Sequence, residues 1–364
     1  MSLTSLPPEV LDLIFQFAIQ RDNHISPENR QDLLAFAFVH PKLAGPALRQ
    51  FYVSITLPHL GQCEQLIRST SSYKVHTKFL SLKNVEIPAQ EDFNPTKELL
   101  TQVPAVSSLA LDLRRVQDDP EMISFFLQES LQPIRGNLTS LELRLTIRSP
   151  ILPLLSQLRA LHSLSLANWE SQLERSFDSF LSTFTNLKLF HMDHCLMTKA
   201  HLKKLLEHPP PPLLSSLKLI SLNAPLALEW ELFLRVAPRL EYLSWVPSWD
   251  PDWSALRFCS KLQHFHTAVG NSAMMNYLPP SVETIHIDTD VQMASITPLI
   301  LRLNSTAQSG SASSYSLPKL RLVILPSVHA VFRERRSLEV MIDHCRMVLP
   351  EPIQVLYVAP GKSA

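Results

Sequence analysis

Glycine is scarce in this chain, with six in 364 residues, against an ordinary share of about 7%. Loops that cradle phosphate need several glycines close together, because the backbone must approach the anion. Gly45, Gly61, Gly136, Gly270, Gly310 and Gly361 are scattered instead. No G-x-G-x-x-G, G-x-x-x-x-G-K or G-x-S-x-G occurs, which argues against nucleotide enzymes of those types and against the α/β-hydrolase elbow. Cysteine is also sparse. Cys63, Cys195, Cys259 and Cys345 form no C-x-x-C pair. With no basic stretch and apolar segment at the N-terminus, they are expected to be reduced, mostly buried thiols. Net charge is absent, since 33 Lys and Arg balance 33 Asp and Glu. A balanced chain has no general pull toward nucleic acid or acidic lipid, so neither is expected as a partner. No run of 18 apolar residues exists, so no membrane span is expected. The expected location is cytoplasmic, nuclear or both.

What the chain has is leucine and proline. Sixty-three residues are Leu and 29 are Pro, 45% are hydrophobic, and the mean hydropathy is +0.05. Charged residues make up only 18%, below the ordinary share of about 25%. The length suits one small domain followed by a solenoid.

The first sixty residues read as a compact helical block. Pro8 suits the first turn of a helix, where a missing N–H costs nothing, and Glu9 favours the helix dipole. Val10, Leu11, Ile14, Phe15 and Ala18 then recur as one apolar stripe. Residues 20–31 are polar and read as a loop. A second helix is expected over about 31–39, carrying Leu33, Leu34, Phe36, Ala37 and Phe38. Pro41 ends it and opens a third, with Leu43, Ala44, Ala47, Leu48 and Phe51. The chain turns extended over 53–57. Three helices this short barely bury a core alone, so they call for a neighbour or partner.

This block resembles the F-box, the helical module that docks onto the Skp adaptor of cullin-based ubiquitin ligases. The resemblance covers about residues 4–52. It rests on Leu6-Pro7-x-Glu9-Val10-Leu11-x-x-Ile14-Phe15 and on Leu34-x-x-x-Phe38-Val39. The exit Phe51-Tyr52-x-x-Ile55-x-Leu57 is similar to that of many fungal members. Val39-His40-Pro41-Lys42-Leu43 stands where the family often has Val-Cys-x-x-Trp. The resemblance implies adaptor contacts at Leu6, Pro7, Val10, Leu11, Ile14 and Phe15, some of which must face inward. It also implies cullin and RING subunits reached through the adaptor.

From residue 77 an L-x-x-L-x-L frame returns ten times with apolar variants. Its middle anchors are Leu80, Leu109, Leu141, Leu164, Phe190, Leu217, Leu243, Phe265, Ile285 and Val323. Most of the spacings lie in or near the leucine-rich-repeat period of about 20–29 residues. In a strand, alternate residues share a face, so the second and third anchors point inward together. Helix-like segments at 177–183, 199–207 and 229–236 would form the outer wall. No repeat buries its own face alone, so stacking supplies the core. One repeat holds the full frame with its Cys, Leu187-x-x-Phe190-x-Met192-x-x-Cys195-x-Met197, and the others lose the Asn/Cys position. Over residues 75–330 the chain resembles leucine-rich-repeat proteins. The expected fold is therefore α/β: a three-helix F-box-like module over 1–58, then an irregular leucine-rich-repeat horseshoe of about ten strand–helix repeats over 59–364. A stiff proline run stands at 209–212 and a mobile Ser-rich insertion at 304–316. A helix over 338–348 and a closing strand over 353–358 complete the expectation.

No catalytic constellation emerges. His191-x-x-His194-Cys195 lacks the second ligand pair that zinc requires, and Cys195 falls on a core position of its repeat. His264, His266 and His286 could approach one another across adjacent strands, but a solvated strand face explains them. No H-E-x-x-H, nucleophile–base pair or RING-type cysteine pattern occurs. The chain is therefore expected to be non-catalytic, with no cofactor and no metal.

What remains is a binding surface. The residue between the second and third anchors points to the open face, and that column reads Ser81, Ala110, Glu142, Ser165, His191, Lys218, Ser244, His266, His286 and Ile324. Its mixed character suits a protein segment as ligand. The target-binding candidates are Glu142, His191, Lys218, His266 and His286, with Trp249 from a proline-bounded loop; Trp245 is expected in the core. Two readings follow. One is a substrate receptor whose block binds a Skp adaptor and whose repeats hold an unknown target protein. The other is a leucine-rich-repeat scaffold whose helical block only caps the solenoid.

Overall fold

The computed structural model describes residues 3, 6–19, 27–85, 94–114, 120–145, 151–169, 184–196, 210–220, 233–246, 253–267, 274, 276–287, 317, 319–326 and 354–358. The chain divides into two compact units, Met1–Asn186 and Leu187–Ala364.

The first unit opens with three helices, α1 (Pro8–Ile19), α2 (Pro27–Val39) and α3 (Pro41–Val53). Proline starts each one, as its fixed φ and missing N–H favour. This corrects the expected second helix: it begins at Pro27, not near 31, because Pro27 can open a helix that the polar residues after it continue. His40 closes the gap between α2 and α3. Its backbone is extended, and its Nδ1 accepts from the Lys42 N–H at 3.1 Å. Leu11 and Phe15 of α1 meet Leu33 of α2 and Leu43 and Ala47 of α3 in a small core, with Leu6, Ala37 and Phe51 packed on it. Arg49 clamps α3 to α1 through two bonds to the Asp12 carboxylate, at 2.7 and 3.2 Å. Arg30 of α2 lies over the Phe51 ring and donates to the Ser54 carbonyl. Its burial pushes the guanidinium pKa below the ordinary value.

The chain leaves α3 directly into β1 (Ser54–Leu57), which pairs in parallel with β2 (Phe79–Leu82). Then follow β3 (Ser108–Asp112), β4 (Ser140–Arg144) and β5 (Ser163–Ala167), each parallel to the one before. Ile55 and the middle anchors Leu80, Leu109, Leu141 and Leu164 lie side by side in register, as do Leu57, Leu82, Leu111, Leu143 and Leu166. All are buried. Parallel strands need crossovers, here α4 (Leu60–Arg68), α5 (Pro95–Gln102), α6 (Pro120–Leu131) and α7 (Leu152–Leu155). Their unequal lengths make the repeats irregular. Lys74 closes the end of α4, donating to the Leu66, Ile67 and Ser69 carbonyls at 3.3, 3.2 and 2.8 Å and to the Gln102 side chain at 2.6 Å. A lysine at a helix C-terminus satisfies carbonyls that have no intrahelical partner.

The second unit repeats the plan. β6 (Leu189–Asp193), β7 (Ser216–Ile220), β8 (Tyr242–Val246), β9 (His264–Thr267), β10 (Thr284–Ile287), β11 (Leu322–Pro326) and β12 (Gln354–Val358) pair in parallel in that order. Phe190, Leu217, Leu243, Phe265, Ile285 and Val323 form its buried row. Trp245 and Trp253 are buried beside it, with ring centroids 5.6 Å apart, and Trp253 meets Phe265 edge-on. Residues 233–236 are helical, as expected. The segments 177–183, 199–207, 229–232, 304–316 and 338–348 lie outside the described residues.

The frame is more complete than its sequence suggests. Asn84, Asn168 and His194, each four residues past a middle anchor, have φ of 50°, 57° and 51°. Asn tolerates that left-handed conformation. The next residue then turns into the core: Val85, Trp169 and Cys195 are all buried there. Val85 and Trp169 thus occupy the position that the sequence reading took as lost in every repeat but one. Where no left-handed residue intervenes, Leu113 and Leu145 enter the core one residue earlier. Their N–H groups bond the Arg144 and Ala167 carbonyls at 2.8 and 2.9 Å, so the backbone ladder continues past the strand ends.

Cys63, Cys195 and Cys259 are buried. Burial pushes the Cys63 thiol up to about 11 and the Cys259 thiol up to about 12. Both are therefore poor nucleophiles at neutral pH.

Candidate protein-interaction surfaces

Three surfaces stand out, one on the helical block and one on the open face of each unit's strands. On the block, the apolar stripe of α1 divides. Leu11 and Phe15 are buried, while Val10, Leu13 and Ile14, spaced i, i+3, i+4, are exposed. Pro7 is exposed and Leu6 is half-buried against the core. On α2, Leu33 is buried and Phe36, Phe38 and Val39 are exposed, Phe38 by 87% and Val39 by 73%. Phe36 touches Phe15 across the two helices, with ring centroids 5.3 Å apart. Of the six residues that the F-box resemblance singles out, Pro7, Val10 and Ile14 face solvent, while Leu11 and Phe15 hold the block together. Leu13 and Phe36 were missed as surface groups. For Phe36 the signal was present: the C-terminal half of α2, residues 33–39, is apolar on every side, and one side of such a stretch is left needing cover.

The open face of the first unit is a trough of about 1020 Å³. Its lining includes Ser54, Ser81, Ser107, Ser108, Ala110 and Ser140, with Phe79 standing between Ser54 and Ser108. One end is charged. Lys83, Asp112 and Arg144 come from adjacent strands at the ends of β2, β3 and β4. Asp112 is nearly buried, and both its oxygens are engaged by Arg114: Nη2 donates to Oδ2 at 2.7 Å and Nε to Oδ1 at 3.0 Å. Glu142, a target-binding candidate, lies here half-buried and accepts from Arg144 Nε at 2.8 Å. The column of one residue per strand contains Glu142 but not Lys83, Asp112 and Arg144, which lie two residues beyond Ser81, Ala110 and Glu142.

The hydrogen bonds from Arg114 hold the Asp112 carboxyl below its ordinary pKa. A carboxyl whose pKa is lowered on folding stabilises the fold above its unfolded pKa, and that stability is lost as pH falls through the folded value. Asp112→Asn is therefore expected to cost on the order of 1 kcal/mol at neutral pH. The difference should shrink as pH falls below the ordinary carboxylate range and through the lowered folded value. Urea midpoints of the two proteins across that range check this; a difference independent of pH would assign the effect to packing.

On the second unit the corresponding row is His191, Lys218, Ser244, His266, His286 and Ile324, one from each of β6 to β11. His191, Lys218, His266 and His286 are half-buried. Two members of the expected open column are not open: Ser244 is fully buried and Ile324 is 8% exposed. The Ser244 hydroxyl lies 2.7 Å from His266 Nδ1. His266 and His286 stack with centroids 4.5 Å apart, whereas His264 lies beside Tyr242 at 6.5 Å. The three members of the His-x-x-His-Cys cluster diverge. His191 sits on the open face, His194 in an exposed turn with Nδ1 at 2.6 Å from Asp193, and Cys195 in the core. No group of three potential metal ligands gathers among the described residues. In the proline run, Pro211 is buried and its carbonyl accepts from the Leu214 N–H at 3.2 Å, so the run leads into a turn. Trp249 lies outside the described residues. Among the described residues no helix is long and apolar enough to cross a membrane.

Comparison with protein-family models gave no match, and neither did comparison with curated proteins. Among solved structures the chain is similar to an internalin from Listeria monocytogenes, with 13% identity over 100% of both chains and a TM-score of 0.36. It is similar to a Bacteroides fragilis protein, with 12% identity over 78% of this chain and 76% of that one and a TM-score of 0.43. It is also similar to a leucine-rich-repeat protein of Leptospira interrogans, with 13% identity over 74% of this chain and 76% of that one and a TM-score of 0.33. Likenesses this distant carry no information about binding. The leucine-rich-repeat character of the fold stands on the parallel ladder and its in-register leucines.

Proposed function

We propose that this chain is the substrate-recognition subunit of a cullin-based, SCF-type ubiquitin ligase. The helical block docks a Skp adaptor, and the strand faces hold a target protein. The observation that carries this reading is the apolar surface of the block. Val10, Leu13, Ile14, Phe36, Phe38 and Val39 are exposed on α1 and α2, in the segment whose sequence resembles the F-box. Large apolar groups gathered on a small helical module mark an interaction site. The chain itself performs no chemistry in this scheme. Ubiquitin transfer belongs to partner subunits, and the receptor accelerates it by raising the local concentration of the target. Cytosol and nucleus are where such a complex works.

Co-purification tests this. The full chain co-expressed with a Skp adaptor is expected to elute with it as one complex, and Val10→Asp with Ile14→Asp to elute alone. Elution of the unaltered chain apart from the adaptor would refute the proposal.

The alternative, a scaffold whose helical block is only a cap, is favoured by one observation. Arg30 and the unbroken passage from α3 into β1 tie the block to the start of the strand ladder. A cap has no use for the exposed Phe38 and Val39, and adaptor binding separates the two readings.

A further inference from the structure

The open face of the second unit carries bases and almost no carboxylates. Its middle row holds His191, Lys218, Ser244, His266 and His286, one from each of β6 to β10. The row before it adds Tyr242 and His264. Neither row contains an Asp or a Glu. The row beyond holds one carboxylate among the described residues, Asp193 at the end of β6, whose Oδ1 lies 2.6 Å from His194 Nδ1. Just ahead of the strands the charges balance, Lys188 and Arg321 against Glu241 and Glu283. Lys218 is half-buried and belongs to none of the ion pairs among the described residues. Two strands on, His266 and His286 stack with ring centroids 4.5 Å apart. The Ser244 hydroxyl, 2.7 Å from His266 Nδ1, fixes that ring, and Ser244 is bonded in turn to the Tyr242 hydroxyl. Burial pushes the Tyr242 phenol above its ordinary pKa, so it stays neutral where imidazoles titrate. The titratable groups around the stacked pair are thus His264 on β9, Tyr242 on β8 and Lys218 on β7, with no carboxylate among them. Imidazole gains its proton between about pH 5 and 8. A proton on one ring of the pair opposes a second on the other, and a carboxylate seated over both offsets that repulsion.

We propose that this face takes an extended, acidic protein segment, and takes it more tightly as pH falls. The segment crosses the strands, and its Asp or Glu side chains seat against Lys218 and His286. His266 is a positioning residue: it holds the His286 ring and shares its proton. Lys218 and His286 stand three strand spacings apart, about 14 Å. Residues i and i+4 of an extended segment are about 13 Å apart and point to one side, so two carboxylates at that spacing reach both. At high pH Lys218 is the only cation of the two rows, and Asp193 offsets it. As the imidazoles protonate, the face becomes positive and complements the segment. Binding an anion raises the pKa of the stacked pair. The added affinity is therefore fully present below the pair's pKa in the free chain, and is lost as pH rises through its pKa in the complex. The inference rests on the proposed reading of the strand faces as target-holding surfaces. It is independent of adaptor docking, which involves only the helical block.

The test uses the full chain without any adaptor. The probe is a rhodamine-labelled peptide of about twelve residues alternating Glu with Thr, long enough in extended form to cross β6 to β10. A matched peptide carries Gln in place of Glu. Fluorescence anisotropy is read at about pH 6 and about pH 8 at one ionic strength. The Glu peptide is expected to bind about tenfold tighter at the lower pH, and the Gln peptide to change less than about twofold. His286→Gln and His266→Gln should each cut the pH ratio to about threefold or less. Lys218→Gln should weaken binding several-fold at both pH values and leave the ratio standing. His286→Lys places a charge that does not titrate in this range, so it should bind at about pH 8 nearly as tightly as the unaltered chain does at about pH 6. His162→Gln, on the first unit, should change nothing. Far-ultraviolet circular dichroism verifies folding at both pH values, and His286→Lys keeps the test decisive if His266→Gln does not fold. The proposal is overturned if the Glu peptide binds no tighter than the Gln peptide at about pH 6 or binds equally at both pH values. It is overturned too if the folded His286→Gln chain keeps the full ratio, or if His286→Lys gains nothing at about pH 8. Failure here with intact adaptor binding would sink the basic face alone. Failure of adaptor binding with intact peptide binding would sink only the ligase assignment.

Discussion

Replacing Leu109 by Ala is expected to destabilise the first unit by about 3 kcal/mol, while replacing Ser81 by Ala changes its stability by less than about 0.5 kcal/mol. The two residues sit on neighbouring strands, one position apart in the pleat. Leu109 is buried at 1% exposure, in register between Leu80 and Leu141. Removing its side chain leaves a cavity between two rungs that cannot close without moving both. Ser81 faces the open side. In a stacked solenoid each repeat is stabilised mainly by its neighbours, so the loss spreads to the adjacent strands. Amide hydrogen exchange reads this directly: protection across β2 to β4 should fall about a hundredfold in Leu109→Ala and hold in Ser81→Ala. Equal effects at the two positions would mean that the strand faces are assigned the wrong way round.

The second large effect belongs to the helical block. Phe38→Asp combined with Val39→Asp is expected to weaken adaptor binding by more than about a hundredfold, since a carboxylate carried into an apolar contact loses its hydration without gaining a partner. The same changes should leave the block folded, because both side chains are exposed and neither belongs to its core of Leu11, Phe15, Leu33, Leu43 and Ala47. Leu11→Asp gives the contrast. It should lose adaptor binding by unfolding α1 to α3, visible as lost helical signal. Retained adaptor binding in the Phe38 and Val39 variant would move the contact off α2.

Much of this fold was legible because leucine parity in a parallel strand has few alternatives. Each middle anchor named from the frame lies on a strand, and neighbours such as Leu80, Leu109 and Leu141 pair with one another. The starts of α1 and α3 were legible from Pro8 and Pro41. The start of α2 was not, because the residues after Pro27 are polar and resemble a loop; only the proline marks it. Val85 and Trp169 were also hidden. A core position identified by residue type cannot be seen when a different apolar residue fills it, and only the left-handed Asn84 and Asn168 reveal it. Ser244 is buried with its hydroxyl against His266 Nδ1 of the next strand, a cross-strand contact that no single-strand pattern contains. The trough was half legible: its floor followed from parity, but its charged end did not, because Asp112 and Arg144 lie two residues beyond the open column and pair with Arg114 and Glu142.

The most direct test of the account is a calorimetric titration of the purified full chain with a purified Skp adaptor. The account predicts saturable binding of one adaptor per chain, with a negative heat-capacity change as the apolar groups of α1 and α2 leave water. Absence of binding by a folded chain, or binding that survives both Val10→Asp with Ile14→Asp and Phe38→Asp with Val39→Asp, would contradict it.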